Sequence, residues 1–189
     1  MTQTTYIGID PGNTGSIVFL NRDGTPIHVQ DMPLRVVSKT ATVKQNVSPA
    51  ALTAVMRAWL RPGVPVVCGL EQVSSSPQQG VATAFAFGRN LGTIEGVLGA
   101  FPSPIDAHMV TPQAWKWHQV HIDVHMVTPQ AWKWHHGLQG TKKDAAIDKA
   151  RELFPEFCAK SITLKKHIGR ADALLIASYI FNITTEAAV

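Results

Sequence analysis

Apolar residues fall along this chain in two rhythms. Residues 4 to 9 are rich in β-formers, Pro11-Gly12-Asn13 reads as a turn, and 15 to 20 is a second apolar run closed by Asn21-Arg22-Asp23-Gly24, so the chain opens with a hairpin. A third short strand over 26 to 29 completes a meander, while 36 to 46 has no period and is expected to be a loop. The rhythm then changes. Ser48 followed by Pro49 starts a helix in which Leu52, Val55, Met56 and Leu60 recur at helical spacing until Arg61-Pro62-Gly63 stops it. The nearly continuous apolar run 64 to 70 predicts a central strand covered on both faces, and it delivers Glu71 at its C-terminal end. Residues 81 to 100, full of Ala, Gly, Phe and Leu, predict a long helix. A strand over 105 to 110, a helix capped by Thr141 that carries Ala145, Ile147, Ala150, Leu153 and Phe154, and a last helix from about Arg170 to Phe181 complete the series. Strands first, then alternating helices and strands, define an α/β fold.

One stretch occurs twice. Residues 105 to 118 return seventeen positions later as 122 to 135, with Val124 in place of Ala107. Two copies are too few for a solenoid, which needs about three to bury a core, so one copy is an insertion. The first, tethered to the preceding long helix through the short Phe101-Pro102-Ser103-Pro104, is expected beside the strand of Glu71. The second is expected at the sheet edge, in an extruded loop or exchanged between subunits.

Composition narrows the class. With 189 residues, 45% hydrophobic and 16% charged, the chain suits one compact domain over 1–189. No apolar run is long enough to span a bilayer, the start has no basic leader, and Cys68 and Cys158 read as free thiols, so no membrane association and a cytoplasmic address are expected. The net charge of +4 is modest, but Lys142, Lys143, Lys149, Arg151, Lys160, Lys165, Lys166 and Arg170 crowd the last quarter. Such a cluster suits a phosphate backbone and equally suits a solvated helix face.

Three acids stand out. Asp10 ends the first strand within Gly8-Ile9-Asp10-Pro11-Gly12-Asn13-Thr14-Gly15, Glu71 ends the central strand, and Asp172 lies in the otherwise apolar Gly169-Arg170-Ala171-Asp172-Ala173-Leu174-Leu175, where an unpaired carboxylate is costly to bury. Each admits a plainer role, as turn former, strand-end charge or helix cap. If the two strands are parallel neighbours the acids converge, and a shared pocket of carboxylates calls for Mg²⁺ or Mn²⁺ rather than zinc. Such a site implies metal-assisted phosphoryl transfer. The histidines at 108, 118, 121, 125, 135 and 136 lack zinc-module spacing, and the duplicated tryptophans at 115, 117, 132 and 134 read first as packing groups.

The segment from Gly8 to Gly15, then Leu70-Glu71-Gln72-Val73, then Ala171-Asp172-Ala173-Leu174-Leu175-Ile176-Ala177 resemble, in order and spacing, the signatures of the RuvC family of Holliday-junction resolvases in the RNase H-like superfamily. The Gly88-Arg89-Asn90-Leu91-Gly92 region and the Val-Thr-Pro-Gln-x-Trp-Lys segment followed by Lys142-Lys143-Asp144 are similar to phage-borne members. The resemblance implies an RNase H-like mixed sheet, an antiparallel meander plus parallel strands, flanked by helices. It further implies a homodimer that makes paired cuts in branched DNA, four-way junctions above all, leaving 5′-phosphates. Asp10, Glu71 and Asp172 would be the Mg²⁺ ligands, and Arg89, Lys142, Lys143, Lys165, Lys166 and Arg170 would face DNA. Family members often carry a further acid or histidine three residues before the last aspartate, where this chain has Gly169. His167 is the substitute, as a ligand or a phosphate-facing cation, provided the helix begins only at Arg170. The alternative is a weakly active or inactive branched-DNA-binding protein on the same fold. Sugar-kinase and actin-like ATPases open with a similar hairpin, but need two such domains and a second phosphate loop, for which the chain is too short.

Overall fold

The computed structural model describes residues 4–38, 44–61, 64–72, 80–101 and 122–186. A five-stranded sheet is built from β1 (Thr5–Ile9), β2 (Ser16–Leu20), β3 (Pro26–Asp31), β6 (Val66–Glu71) and β7 (Ile122–Val127), in the order β3-β2-β1-β6-β7. β1 pairs antiparallel with β2 and β2 with β3, whereas β6 runs parallel to both β1 and β7. The central β1–β6 pair is therefore where the meander meets the parallel half, and both strands end at the same edge. Residues 36 to 46 are not simply a loop: β4 (Leu34–Ser38) and β5 (Lys44–Val47) form a separate two-stranded ribbon. Its sequence hides this, because Val36 and Val37 are both exposed and Asn46 is buried, so the alternation that a half-buried strand normally shows is missing.

Two layers of helix cover the sheet. On one face α1 (Pro49–Trp59) and α2 (Val81–Gly99) bring Leu52, Met56, Ile94 and Leu98 onto Ile7, Ile9, Ile17, Phe19, Cys68 and Leu70. The start of α1 is as predicted, with the Ser48 hydroxyl accepting from the Ala51 N–H and Pro49 in the first turn. On the other face lie α3 (Pro129–His135), α4 (Ala145–Leu153), α5 (Pro155–Ser161) and α6 (Ile168–Glu186), whose core includes Tyr6, Val18, Leu20, Trp132, Ile147, Cys158 and Leu174. Thr141 caps no helix; α4 begins at Ala145, and the Thr141 hydroxyl donates to the Leu138 carbonyl at 2.7 Å. Cys158 is buried in α5 rather than in a loop. The last helix is longer than its apolar pattern suggested and begins at Ile168, directly behind a 3₁₀ turn over Lys165–His167.

Helix α6 lies close on the sheet because two glycines face each other across β1 and β6. Gly8 and Gly69 are register partners. A side chain at Gly8 would collide with the Ala173 carbonyl and the Ala177 backbone nitrogen, and one at Gly69 with Ile176 and Ile180. Side chains of a strand alternate between faces, so Asp10 and Glu71, each two residues beyond one of these glycines, project toward α6.

The second copy of the repeat, not the first, is seated beside the strand of Glu71: β7 pairs in parallel with β6 from Val66↔Ile122 to Glu71↔Val127. The first copy, including the predicted strand over 105 to 110, lies outside the described residues. The three residues downstream of each copy explain the choice. After the second come His136, Gly137 and Leu138; His136 is buried with Nε2 donating to the Leu175 carbonyl at 2.9 Å, Gly137 has φ +69°, and Leu138 is in the core. The matching residues after the first copy are Gln119, Val120 and His121. A β-branched residue is poorly suited to positive φ, and a histidine is poorly suited to an apolar core position.

Removing residues 105 to 121 should therefore leave the domain folded, with a melting temperature equal to or above that of the full chain. Removing 122 to 138, which forces the first copy and its tail into the sheet, should cost about 3 kcal/mol or more. Thermal unfolding followed by circular dichroism checks both, and equal stability of the two deletions would refute this account of how the copy is chosen.

Candidate active site

Asp10 leaves the end of β1 in a tight turn. Its backbone N–H donates to the Ser16 carbonyl, and its Oδ1 accepts from the Gly12 N–H at 3.0 Å. Glu71 is the last residue of β6, and its Oε1 accepts from the indole N–H of Trp132 at 3.0 Å. Asp172 sits in the first turns of α6. The three predicted acids share one electrostatic environment. Burial raises the Asp10 carboxyl above its usual range, against the pull of the Gly12 N–H and the Lys143 charge. Burial and then the Asp10 charge raise Glu71, opposed by the Trp132 bond and by Lys133. Asp172 is pushed up to about 7, by burial first and then by the charges of Asp10 and Glu71, with Lys133 and Lys143 pulling it down.

The donor set is of the kind a hard divalent cation takes: three carboxylates, two of them raised by the charge of a neighbouring acid, with no thiol or imidazole in the group. Among the described residues no group of three or more His, Cys, Asp or Glu side chains is placed to hold a metal ion. Of the three acids only Asp172 lines the adjoining cleft, and a Mg²⁺ ion there would draw on one or two carboxylates and complete its octahedron with water.

Beside Asp172 the surface opens into a cleft of about 510 Å³ lined by Trp132, Lys133, Leu138, Lys142, Lys143 and others. Lys142 and Lys143, predicted to face DNA, stand here. Lys133 joins them and was not singled out in the sequence; the signal available was its place in the Trp-Lys pair that both repeat copies carry. One acid, Asp172, and three lysines thus share the cleft wall, a carboxylate able to hold a cation beside ammonium groups able to face a phosphate.

The other predicted residues lie elsewhere. His167 belongs to the 3₁₀ turn before α6, which begins two residues earlier than its role as fourth ligand required. It lines a separate pocket with Asn13, Thr14, Asp31, Lys166 and Arg170, and its Nδ1 accepts from the Leu164 N–H at 3.4 Å. Burial, Arg170 and Lys166 lower its pKa, with Asp31 opposing them. Gly169 admits no side chain, since a Cβ there would collide with the Thr14 carbonyl; the place of a fourth acid is closed as well as empty of one. Arg170 is committed to the protein. Its Nε and Nη2 hold the Asp31 carboxylate at 2.6 and 2.7 Å, and its Nη1 donates to the Ser161 carbonyl at 2.8 Å. It ties β3, α5 and α6 together, and its hydrogen bond is the main reason the Asp31 carboxyl lies below the usual range. Lys165 and Arg89 are exposed. Next to Arg89, the buried Asn90 accepts from the Val47 N–H at 3.0 Å and donates to Asn13 Oδ1 at 2.7 Å, linking α2 and β5 to the turn behind Asp10. The described histidines of the repeat and the one just after it have protein partners, His125 with Asp123, His135 with Asn182 and His136 with Leu175.

This mixed sheet, with its meander, parallel extension and final helix over the central strands, defines an RNase H-like fold of the RuvC type. The structure of RuvC from Thermus thermophilus aligns over 96% of this chain and 96% of its own, at 18% identity and a TM-score of 0.50. T. thermophilus RuvC in complex with Holliday junction substrate aligns over the same shares, at 16% identity and a TM-score of 0.49. No family model and no curated protein matches the sequence.

The raised pKa of Asp172 carries a stability consequence of definite sign. A carboxyl raised from 3.8 to about 7 in the folded state binds its proton more tightly folded than unfolded, so this group lowers stability progressively as pH rises from about 4 to 7, with the full penalty above 7. In EDTA, Asp172→Asn should stabilise the protein at pH 8 by about 1 to 3 kcal/mol and by nearly nothing at pH 4. Urea unfolding at the two pH values measures this. A pH-independent difference would show that Asp172 is not the strained carboxylate described.

Proposed function

We propose that the chain is a Mg²⁺- or Mn²⁺-dependent, structure-selective DNA endonuclease that cuts four-way junctions and leaves 5′-phosphates. The observation that carries the reading is the delivery of Asp10, Glu71 and Asp172 from β1, β6 and α6 into one electrostatic group beside a cleft lined with lysines. The ordered signatures around the three acids, which resemble those of the RuvC family, support the substrate class. The fold is compatible with it.

Asp10, Glu71 and Asp172 hold the cation, which when bound supplies Lewis-acid activation of the attacking water and stabilisation of the leaving oxygen. Lys133 and Lys143 offset the charge of the phosphodiester and, by the same field, keep the carboxylates closer to their ionised forms. Lys142 extends the positive rim along the backbone of the DNA. The substrate calls for two such sites, one per cut strand, and a homodimer supplies them. The outward face of α2, with Val81 and Phe85 largely exposed and Gly88, Gly92 and Gly96 facing open space, is the surface proposed for that pairing. The reading places the enzyme in the cytoplasm, where replicating DNA is accessible.

Purified protein incubated with an end-labelled four-way junction should release paired nicked duplexes in Mg²⁺ and none in EDTA, with linear duplex resistant. Asp10→Asn and Glu71→Gln should each lower cleavage by at least about a thousandfold while junction affinity stays within about threefold. Junction binding without cutting by the wild-type chain in Mg²⁺ or Mn²⁺ would instead establish a branched-DNA-binding protein.

A further inference from the structure

Trp132 is fully buried, yet its ring carries one strongly polar atom, and that N–H donates to Glu71 Oε1. A buried indole needs such a partner, because an unsatisfied donor costs about 1–3 kcal/mol. Apolar side chains can fill a core without this requirement, so the presence of the donor asks for an explanation from Glu71's side. That carboxylate ends β6 within the field of Asp10, and Asp172 in turn lies within the field of both. Among the described residues its Oε2 has no hydrogen-bond partner.

The donor itself is firmly placed. Thr128 caps α3, its hydroxyl accepting from the Ala131 N–H at 3.2 Å, and Pro129 occupies the first turn. One turn later His136 is fixed to the Leu175 carbonyl of α6, and Leu138 enters the core. On the strand side the Gln72 N–H donates to the Val127 carbonyl at 2.7 Å, closing β6 onto β7 immediately after Glu71. Both ends of the Trp132–Glu71 bond therefore belong to packed elements. Asp10 is treated in the same way, with one oxygen held by the Gly12 N–H.

We propose that Trp132 is a positioning residue for the metal site: its indole N–H fixes Glu71 through Oε1 and leaves Oε2 for a divalent cation. The inference rests on the metal-dependent reading above. Groups that orient a ligand in this way contribute roughly 10- to 100-fold to metal affinity.

Calorimetric titration with Mn²⁺ tests it, using the full-length wild type, Trp132→Phe and Trp134→Phe, the last removing a neighbouring but exposed indole. Trp132→Phe should bind Mn²⁺ at least about tenfold more weakly, require a correspondingly higher Mn²⁺ concentration for half-maximal cleavage, and retain junction affinity in EDTA. Trp134→Phe should match the wild type. Wild-type binding of Mn²⁺ with equal affinity in Trp132→Phe overturns the inference and leaves the nuclease reading standing, whereas a wild type that binds no divalent cation overturns both. Should Trp132→Phe not fold, the indole N–H signals of ¹⁵N-tryptophan-labelled wild type decide the matter. One should move on addition of Mg²⁺ and be displaced in Glu71→Gln, and no such signal means no such contact.

Discussion

The approach of α6 to the paired glycines of β1 and β6 is the constraint on which the rest of this structure depends. With no side chain at Gly8 or Gly69, the backbone of Ala173 and Ala177 settles onto the sheet, and Ile176 and Ile180 fill the space above Gly69. The same closeness brings Asp172 within the field of two strand-end carboxylates. Packing and chemistry are thus one arrangement. The glycines make the core dense, and because strand side chains alternate, a residue two positions further on each strand must emerge on the same face at the sheet's edge. A bulkier pair would lift the helix and separate the acids together.

Charge explains why this arrangement needs the basic segment around it. Asp10, Glu71 and Asp172 are each raised by burial, and Glu71 and Asp172 also by neighbouring acids, so the folded chain carries an unfavourable cluster on its own account. Lys133 and Lys143 offset part of it from the wall of the adjoining cleft. Elsewhere the basic residues serve other purposes. Arg170 draws Asp31 and the end of α5 to the start of α6, and the Asn90–Asn13 bond secures the turn behind Asp10 from the opposite layer. The acid site is held from both faces of the sheet.

Much of this was legible in the amino-acid sequence, for identifiable reasons. The meander, the central strand, α1, α2 and the apolar body of α6 are written in patterns that local burial imposes, and the three acids stood out as charges at the ends of apolar elements. The ribbon of β4 and β5 was missed because its exposed Val36 and Val37 and its buried Asn46 break the alternation of a half-buried strand. The starts of α4 and α6 were misplaced because Thr141, which looks like a cap, turns back to the Leu138 carbonyl, and Arg170, which looks like a boundary residue, reaches across the fold to Asp31. Lysines and arginines clustered in sequence read as one DNA-facing group, yet they separate in space into the cleft wall of Lys142 and Lys143, a second pocket with Lys166, and the internal tie of Arg170. Trp132 was counted as packing, which it is. Only its partner, 61 residues away in the chain, reveals the second role.

The repeated segment shows how little of a strand's fate lies in the strand. Two stretches with the same fourteen-residue pattern, differing only at Ala107 and Val124, compete for one place beside β6, and the winner is decided by three residues downstream that are not part of the repeat. A tail able to turn at Gly137 and bury Leu138 works as an address label, read after the strand itself has been made. Selection for the strand beside β6 therefore acts through the tail as much as through the strand, because a change at Gly137 or Leu138 would erase the label while leaving every residue of β7 in place.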